Sequence, residues 1–325
     1  MNVGIIGLGH GSRVMIEALK LSNFKIHGIS SKTYCKAKQI QKSKNINRVY
    51  KNWIDLVKDE KIELVAIAVP PKIQPKIIEE CIKYKKKIFA EKPVSADFNN
   101  SNKILNKLKD YNDHFIIDYI YPEHKLFKKF IEKVITQNKN RKNIELKKKF
   151  TNQSYVIKNN INNWKTKINS GGGIINLYLI HIIDYLILFI GSIENIKILD
   201  NKRNNNQIKL SINFNNQSNV KVYINGNNKT QIHSIIYKNS SSEILLINNG
   251  RDYVKNFKII EKSIKNNLIK KYYDDDLKST NIDARIKLTQ LIVRKFNKKF
   301  NEKNHIKLIN RYLNVEKWIN EIKKL

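Results

Sequence analysis

Apolar and polar positions change rhythm partway along the chain. Through residue 121, short apolar runs alternate with amphipathic stretches. The runs "NVGIIGL", "FKIHGIS", "ELVAIAVP", "KIFAEKP" and "HFIIDYIY" predict strands. The stretches "SRVMIEALKLS", "TYCKAKQIQKSK", "NWIDLVKDEKI", "KIQPKIIEECIKYKK" and "ADFNNSNKILNKLKDYN" predict helices. Strands with near-continuous apolar character, separated by helices of this length, imply βαβ units and a doubly wound parallel sheet covered on both faces.

Beyond residue 121 the rhythm differs. "EHKLFKKFIEKVIT" predicts a helix and "NIELKKKF" a strand. A series of alternating segments follows: "NIKILD", "QIKLSINF", "NVKVYIN", "HSIIYK", "EILLIN" and "KNFKII", with Asn- and Gly-rich turns between several of them. Period-2 alternation predicts an open, largely antiparallel sheet with one covered face. "ARIKLTQLIVRKFNKKF" and "LNVEKWINEIKKL" close the chain as helices. The expected division is a domain at 1–121 and an α/β domain at 122–325, whose C-terminal helices can pack back on the first. Between the two rhythms lies the most apolar run, Gly171 to Gly191. It is nearly long enough to span a bilayer, but Asn176, His181 and Asp184 would each cost a few kcal/mol in lipid. A buried helix is the better expectation.

Composition narrows the picture. The chain has 325 residues, 41% of them hydrophobic, enough for a substantial core. Cys35 and Cys81 form no paired motif, so neither a disulfide framework nor a zinc site is expected. The start "MNVGIIGLGHG" lacks a basic segment followed by a long apolar one, which predicts no secretory leader and a cytoplasmic place. The formal net charge is +34. Lysines are spread along the whole length without interleaved aromatics, so base composition explains them better than nucleic-acid binding does. Such a charge can still steer small anions toward the protein.

The first strand runs into Gly7-Leu-Gly9-His10-Gly11-Ser12 and then a helix. A dinucleotide fingerprint wants glycine at the first, third and sixth positions, for a tight turn, close pyrophosphate approach and helix–strand packing. Here the sixth is Ser12, small enough to pack, and the third glycine is displaced to Gly11. About 20 residues on, NAD-binding proteins place a carboxylate for the ribose 2′-hydroxyl. This chain has Ser31-Lys32 instead, a hydroxyl and a cation that suit a 2′-phosphate. NADP(H) is therefore the preferred cofactor, with NAD(H) the alternative.

With these residues, Glu91-Lys92-Pro93 and the segment from Trp164 to Asp184, "WK…GGG…HIID", resemble the Gfo/Idh/MocA oxidoreductase family. The resemblance runs over nearly the whole chain in order. It implies a Rossmann domain, a C-terminal open-sheet domain that forms a homodimer or homotetramer interface, and NAD(P)-linked oxidation or reduction of a sugar, cyclitol or nucleotide-sugar. In the cofactor site it implies Gly7, Gly9, His10, Gly11, Ser12, Ser31, Lys32, Pro70, Pro71, Glu91, Lys92 and Pro93. Pro70 and Pro71 match the loop lining the nicotinamide ribose, and Pro93 follows a bond that is often cis in the family. Where the family often has histidine after that loop, this chain has Gln74. Lys92 matches the lysine near the reacting oxygen, and His181 the catalytic histidine. Tyr119, Trp164, Lys165, Asn176, His181 and Asp184 fall at substrate-facing positions; an indole can stack on a sugar and an ammonium can meet an anion.

Two positions depart from the pattern. The family's aspartate, four residues before the histidine, falls on Leu177, and a glycine falls on Leu179. On an α-helix, positions 177, 181, 184 and 188 share one face. Three consequences stay open: Lys92 and His181 act alone, Asn176 or Tyr178 substitutes, or the protein binds nucleotide as a sensor or scaffold without turnover. Some members that lack the aspartate are linked to surface-polysaccharide genes, which places such metabolism among the expected settings.

Overall fold

The computed structural model describes residues 1–138, 142–153, 163–202, 206–250, 252 and 254–325. Two compact units divide the chain. The first comprises Met1–Ile120, Ile168–Gly171 and Arg285–Lys317; the second comprises Tyr121–Lys167, Gly172–Ala284 and Trp318–Leu325.

The first unit opens with β1 (Asn2–Ile6), which leads to a π turn (Gly11–Met15) continuing as α1 (Ile16–Lys20). There follow β2 (Lys25–Ser30), α2 (Tyr34–Lys44), β3 (Arg48–Tyr50), α3 (Trp53–Lys58), β4 (Leu64–Ile67) and α4 (Gln74–Lys83). Next come β5 (Lys87–Ala90), α5 (Phe98–Lys109) and β6 (Phe115–Ile117). The strands form a parallel sheet in the order β3-β2-β1-β4-β5-β6. All four residues of β4 are buried, as a strand covered on both faces requires. Helix starts follow local chemistry. Asn52 accepts the Ile54 N–H at 3.0 Å ahead of α3, and Asp97 accepts the Asn100 N–H at 2.9 Å ahead of α5. Strand order reverses between β1 and β4, where doubly wound sheets bind ligands beyond the strands' carboxyl ends.

The second unit begins with a 3₁₀ turn (Tyr121–Glu123), α6 (Lys125–Gln137) and β7 (Glu145–Gln153). Past the glycines, a π turn (Ile175–Leu179) continues into α7 (Ile180–Phe189). The strands β8 (Ile193–Lys202), β9 (Gln207–Phe214), β10 (Asn219–Asn225), β11 (Asn227–Lys238), β12 (Ser242–Asn248), β13 (Lys258–Ser263) and β14 (Ile269–Tyr273) follow. The eight strands order as β14-β13-β12-β11-β7-β10-β9-β8, parallel between β7 and β10 and antiparallel elsewhere. One face is covered: Leu146, Lys148 and Phe150 of β7 are buried, whereas Glu145, Lys147 and Lys149 are exposed. The chain ends with α8 (Asp275–Lys278), α9 (Ala284–Val293), a 3₁₀ turn (Arg294–Asn297) and α10 (Glu302–Lys324).

Two strands escape the sequence pattern. β3 is three residues long, too short to show a period, and β14 is an exposed edge strand, "IKKYY", carrying lysines. No helix among the described residues is long and apolar enough to cross a membrane. The run from Gly171 to Gly191 is broken into the glycine segment, the π turn and α7, and Ile182, Ile183, Tyr185 and Leu186 of α7 are buried.

Candidate active site

The glycine-rich turn is shaped by contacts that a side chain would break. Gly7 has φ +93°, and a Cβ there would stand 2.2 Å from the Ala68 carbonyl oxygen. Its N–H donates to the Ser30 carbonyl at 2.9 Å. A Cβ on Gly9 would meet nothing within 4 Å. That open backbone is where a phosphate can approach this turn, so the turn fits a dinucleotide. A Cβ on Gly11 would lie 3.3 Å from both Ala68 Cβ and Ile5 Cγ2. Gly11 therefore sits at the close helix–strand contact expected of Ser12. Ser12 instead turns its hydroxyl back to the Leu8 carbonyl at 2.6 Å. The π turn, with the Ile16 N–H on the Gly11 carbonyl, takes up one residue, the number by which the glycine is displaced. After β2, Ser31 Oγ accepts the Thr33 N–H at 3.4 Å, Lys32 is exposed, and no carboxylate follows the strand.

The Glu91-Lys92-Pro93 turn leaves β5 with a cis bond between Lys92 and Pro93. Gln74, at the start of α4, donates from its amide to the Glu91 carbonyl at 2.6 Å and to the Pro93 carbonyl at 2.9 Å. Glu316 of α10 accepts the Val94 N–H at 3.0 Å. Pro71 lies against Gly171, where a Cβ would come within 2.8 Å of the proline ring.

His10 bridges the glycine turn to two carboxylates: Nε2 stands 2.9 Å from Glu91 Oε1 and 3.5 Å from Asp118 Oδ2. Burial opposes the imidazolium, but Glu91 and Asp118 outweigh it and raise the His10 pKa to about 10. Burial raises Asp118, against the pull of His10, and Thr289 of α9 donates to both its oxygens at 3.3 Å. The His10, Glu91 and Asp118 donor atoms lie within 4.8 Å of one another, with the imidazolium of His10 facing both carboxyl groups. Tyr119 is buried and packs its ring 5.8 Å from that of Tyr312.

The second unit gathers the other candidates around its glycines and α7. A Cβ on Gly172 would fall 2.3 Å from the Trp164 carbonyl and 2.4 Å from that of Lys165, so this glycine lets the 164–165 backbone approach. Both side chains are half-buried, with Lys165 Nζ 5.9 Å from the Trp164 ring centre. Asn176 is fully buried and donates to the Gly172 carbonyl at 3.0 Å, which bolts the π turn to the glycine segment. His181 is half-buried, its ring 5.5 Å from that of Tyr121 at 88°. Of the four positions expected to share a face, His181, Asp184 and Leu188 lie together on α7, while Leu177 lies in the π turn. Asp184 is fully buried while Leu188 is 45% exposed.

Behind these lies a cluster the sequence did not single out. His233 stacks edge-on between Tyr121 at 5.0 Å and Phe257 at 4.8 Å. Burial, then the charges of Lys148, His124 and His181, hold its pKa well below the usual histidine value. Lys148 is likewise depressed by burial, its ammonium on the Lys149 and Ser234 carbonyls at 3.3 Å.

Over 110 residues the chain is 24% identical to myo-inositol 2-dehydrogenase of Thermotoga maritima, covering 34% of this chain and 33% of that protein. The chain thus spans about a third of the length of such curated relatives. Among solved structures, levoglucosan dehydrogenase in complex with NADH superimposes with a TM-score of 0.80 at 13% identity, over 100% of this chain and 96% of that one. A 3-ketoreductase from Actinomadura kijaniata, in complex with NADP and TDP-benzene, gives 0.77 at 11% identity over 100% and 97%. At such identities these structures speak for the fold. Residues 1–119 match the family model GFO_IDH_MocA, described as an oxidoreductase family with an NAD-binding Rossmann fold.

Proposed function

We propose that this protein is an NADP(H)-dependent oxidoreductase that acts between a carbonyl and a hydroxyl of a sugar, cyclitol or nucleotide-sugar. The observation that carries the proposal is the open backbone at Gly9, set at the reversal of strand order in the unit that also holds Lys92. The nicotinamide supplies or takes the hydride. The chain's task is the proton: the Lys92 ammonium can stabilise a developing alkoxide and protonate it, and the His181 imidazole is the second group able to carry a proton. Gly7, Gly9, Gly11 and Ser12 form the cofactor turn, Ser31 and Lys32 receive a 2′-phosphate, and Pro70, Pro71 and Pro93 line the nicotinamide end. Trp164 and Lys165 receive the sugar-like substrate. The related dehydrogenases and the 3-ketoreductase support this substrate class. We place the protein in the cytoplasm as a homodimer or homotetramer joined through the open face of the eight-stranded sheet.

NADPH oxidation over a panel of keto-sugars and nucleotide-keto-sugars is expected to reveal turnover. Lys92→Met and His181→Ala should each reduce it by roughly 100-fold, as loss of a general acid–base does. Full turnover in both variants refutes these roles, and NADH binding clearly tighter than NADPH refutes the cofactor assignment. Leu177, standing where a carboxylate is usual, favours a second reading, a nucleotide-binding sensor or scaffold. Tight cofactor binding with no turnover on the panel would select it.

A further inference from the structure

Gln74 is almost completely buried, at 1% exposure. Its amide nitrogen donates to the carbonyls of Glu91 at 2.6 Å, Pro93 at 2.9 Å and Val94 at 3.4 Å. Those three carbonyls bracket Lys92, whose own N–H donates to Glu91 Oε2 at 3.2 Å. On the same turn, Glu316 accepts the Val94 N–H at 3.0 Å and the Ser101 hydroxyl at 3.1 Å. The amide oxygen of Gln74 meets no donor among the described residues. The orientation is forced, because a reversed amide would point its oxygen at three carbonyl oxygens. Burying one polar atom unpaired is a cost, and here it accompanies the anchoring of a single turn by the other end of the same group.

We propose that Gln74 is the positioning residue of Lys92: its amide holds the turn that sets where the Lys92 ammonium stands. The proposal rests on the proton-handling role given to Lys92 above.

The test is trace acetylation of the whole protein with acetic anhydride, read at each lysine by peptide mass spectrometry. Lys87 and Lys103 serve as internal references. Gln74→Leu removes the donor at similar volume, and Gln74→His keeps an N–H. Thermal melts confirm that each variant is folded. The Lys92 rate relative to the references is expected to change roughly threefold or more in Gln74→Leu, the effect of a half-unit shift in the amine's proton affinity. It should stay at the wild-type level in Gln74→His. A folded Gln74→Leu with an unchanged Lys92 rate overturns the proposal. If Gln74→Leu does not fold, Gln74→Asn, one methylene short of the turn, takes its place with the same two outcomes. Failure of the parent reading shows elsewhere: Lys92→Met with full NADPH turnover would refute the role of Lys92 while leaving the labelling result as it stands.

Discussion

A β-carbon separates the two leading glycines of the turn after β1. At Gly7 it would collide with the Ala68 carbonyl in a left-handed backbone, so Gly7→Ala should cost about 2–4 kcal/mol in urea unfolding. At Gly9 it would meet empty space, so Gly9→Ala should fold with stability within about 1 kcal/mol of the parent. Its methyl would stand where the pyrophosphate is expected, so NADPH affinity should fall about tenfold or more, measured by fluorescence titration. Unchanged affinity in Gly9→Ala would mean the nucleotide does not use this turn. These residues were legible because a turn after a first strand leaves few choices. Gln74 was legible only as a departure, since nothing local announces three hydrogen bonds. Thr289 and Glu316 gave no signal, because their partners Asp118 and Val94 lie more than 150 positions away.

At the scale of elements, long periodic segments were readable and short or irregular ones were not. Both π turns lie in sequence that reads as ordinary helix. The wider repeat displaced the face assigned to Leu177 and His181, and it also explains the shifted glycine at the chain's start. β7 hid its inward lysine within a run of three, "KKK", so the buried basic cluster was missed. That cluster makes stability depend on pH. Burial, only partly offset by Asp274 at 3.9 Å, pushes the His124 pKa down to about 4, and His233 is also depressed. Both are neutral when folded but take up protons near pH 6.5 when unfolded. These two rings therefore make acid favour the unfolded chain as pH drops from the unfolded value toward about 4, while His10, raised to about 10, adds stability as pH falls toward 6.5. For His124 the loss amounts to about 3 kcal/mol by pH 4. Urea midpoints at pH 7.5 and pH 5 check this, with His233→Phe expected to flatten the difference. A His233→Phe midpoint that shifts between the two pH values just as the parent's does would show that this ring is not held neutral. Lys148, depressed by burial alone, opposes folding wherever the unfolded amine is charged, so Lys148→Met should raise the midpoint at pH 7.5.

For the whole molecule, a net charge of +34 makes any self-association a contest between burial and repulsion. The open face of the eight-stranded sheet shows both sides of it. Ile236, Leu245 and Ile260 lie in register across β11, β12 and β13, all half-exposed, forming an apolar stripe. Toward the other edge, exposed Lys147 and Lys221 stand directly opposite each other on β7 and β10, and Lys149 and Lys209 both pair in register with Tyr223. Like charges placed opposite one another disfavour the sheet itself and repel a second copy. If copies join through this face, the apolar stripe holds them and the lysines oppose them. Added salt should then strengthen the assembly by screening the lysines, the reverse of what an interface built on ion pairs would do. Sedimentation equilibrium at 50 and 300 mM salt is expected to show tighter association at the higher value. Leu245→Lys should give monomer at both, and Lys221→Thr should tighten association at the lower. If Leu245→Lys sediments like the parent, the contact lies on another surface, and the lysine rows are left as a cost that this sheet carries without a partner.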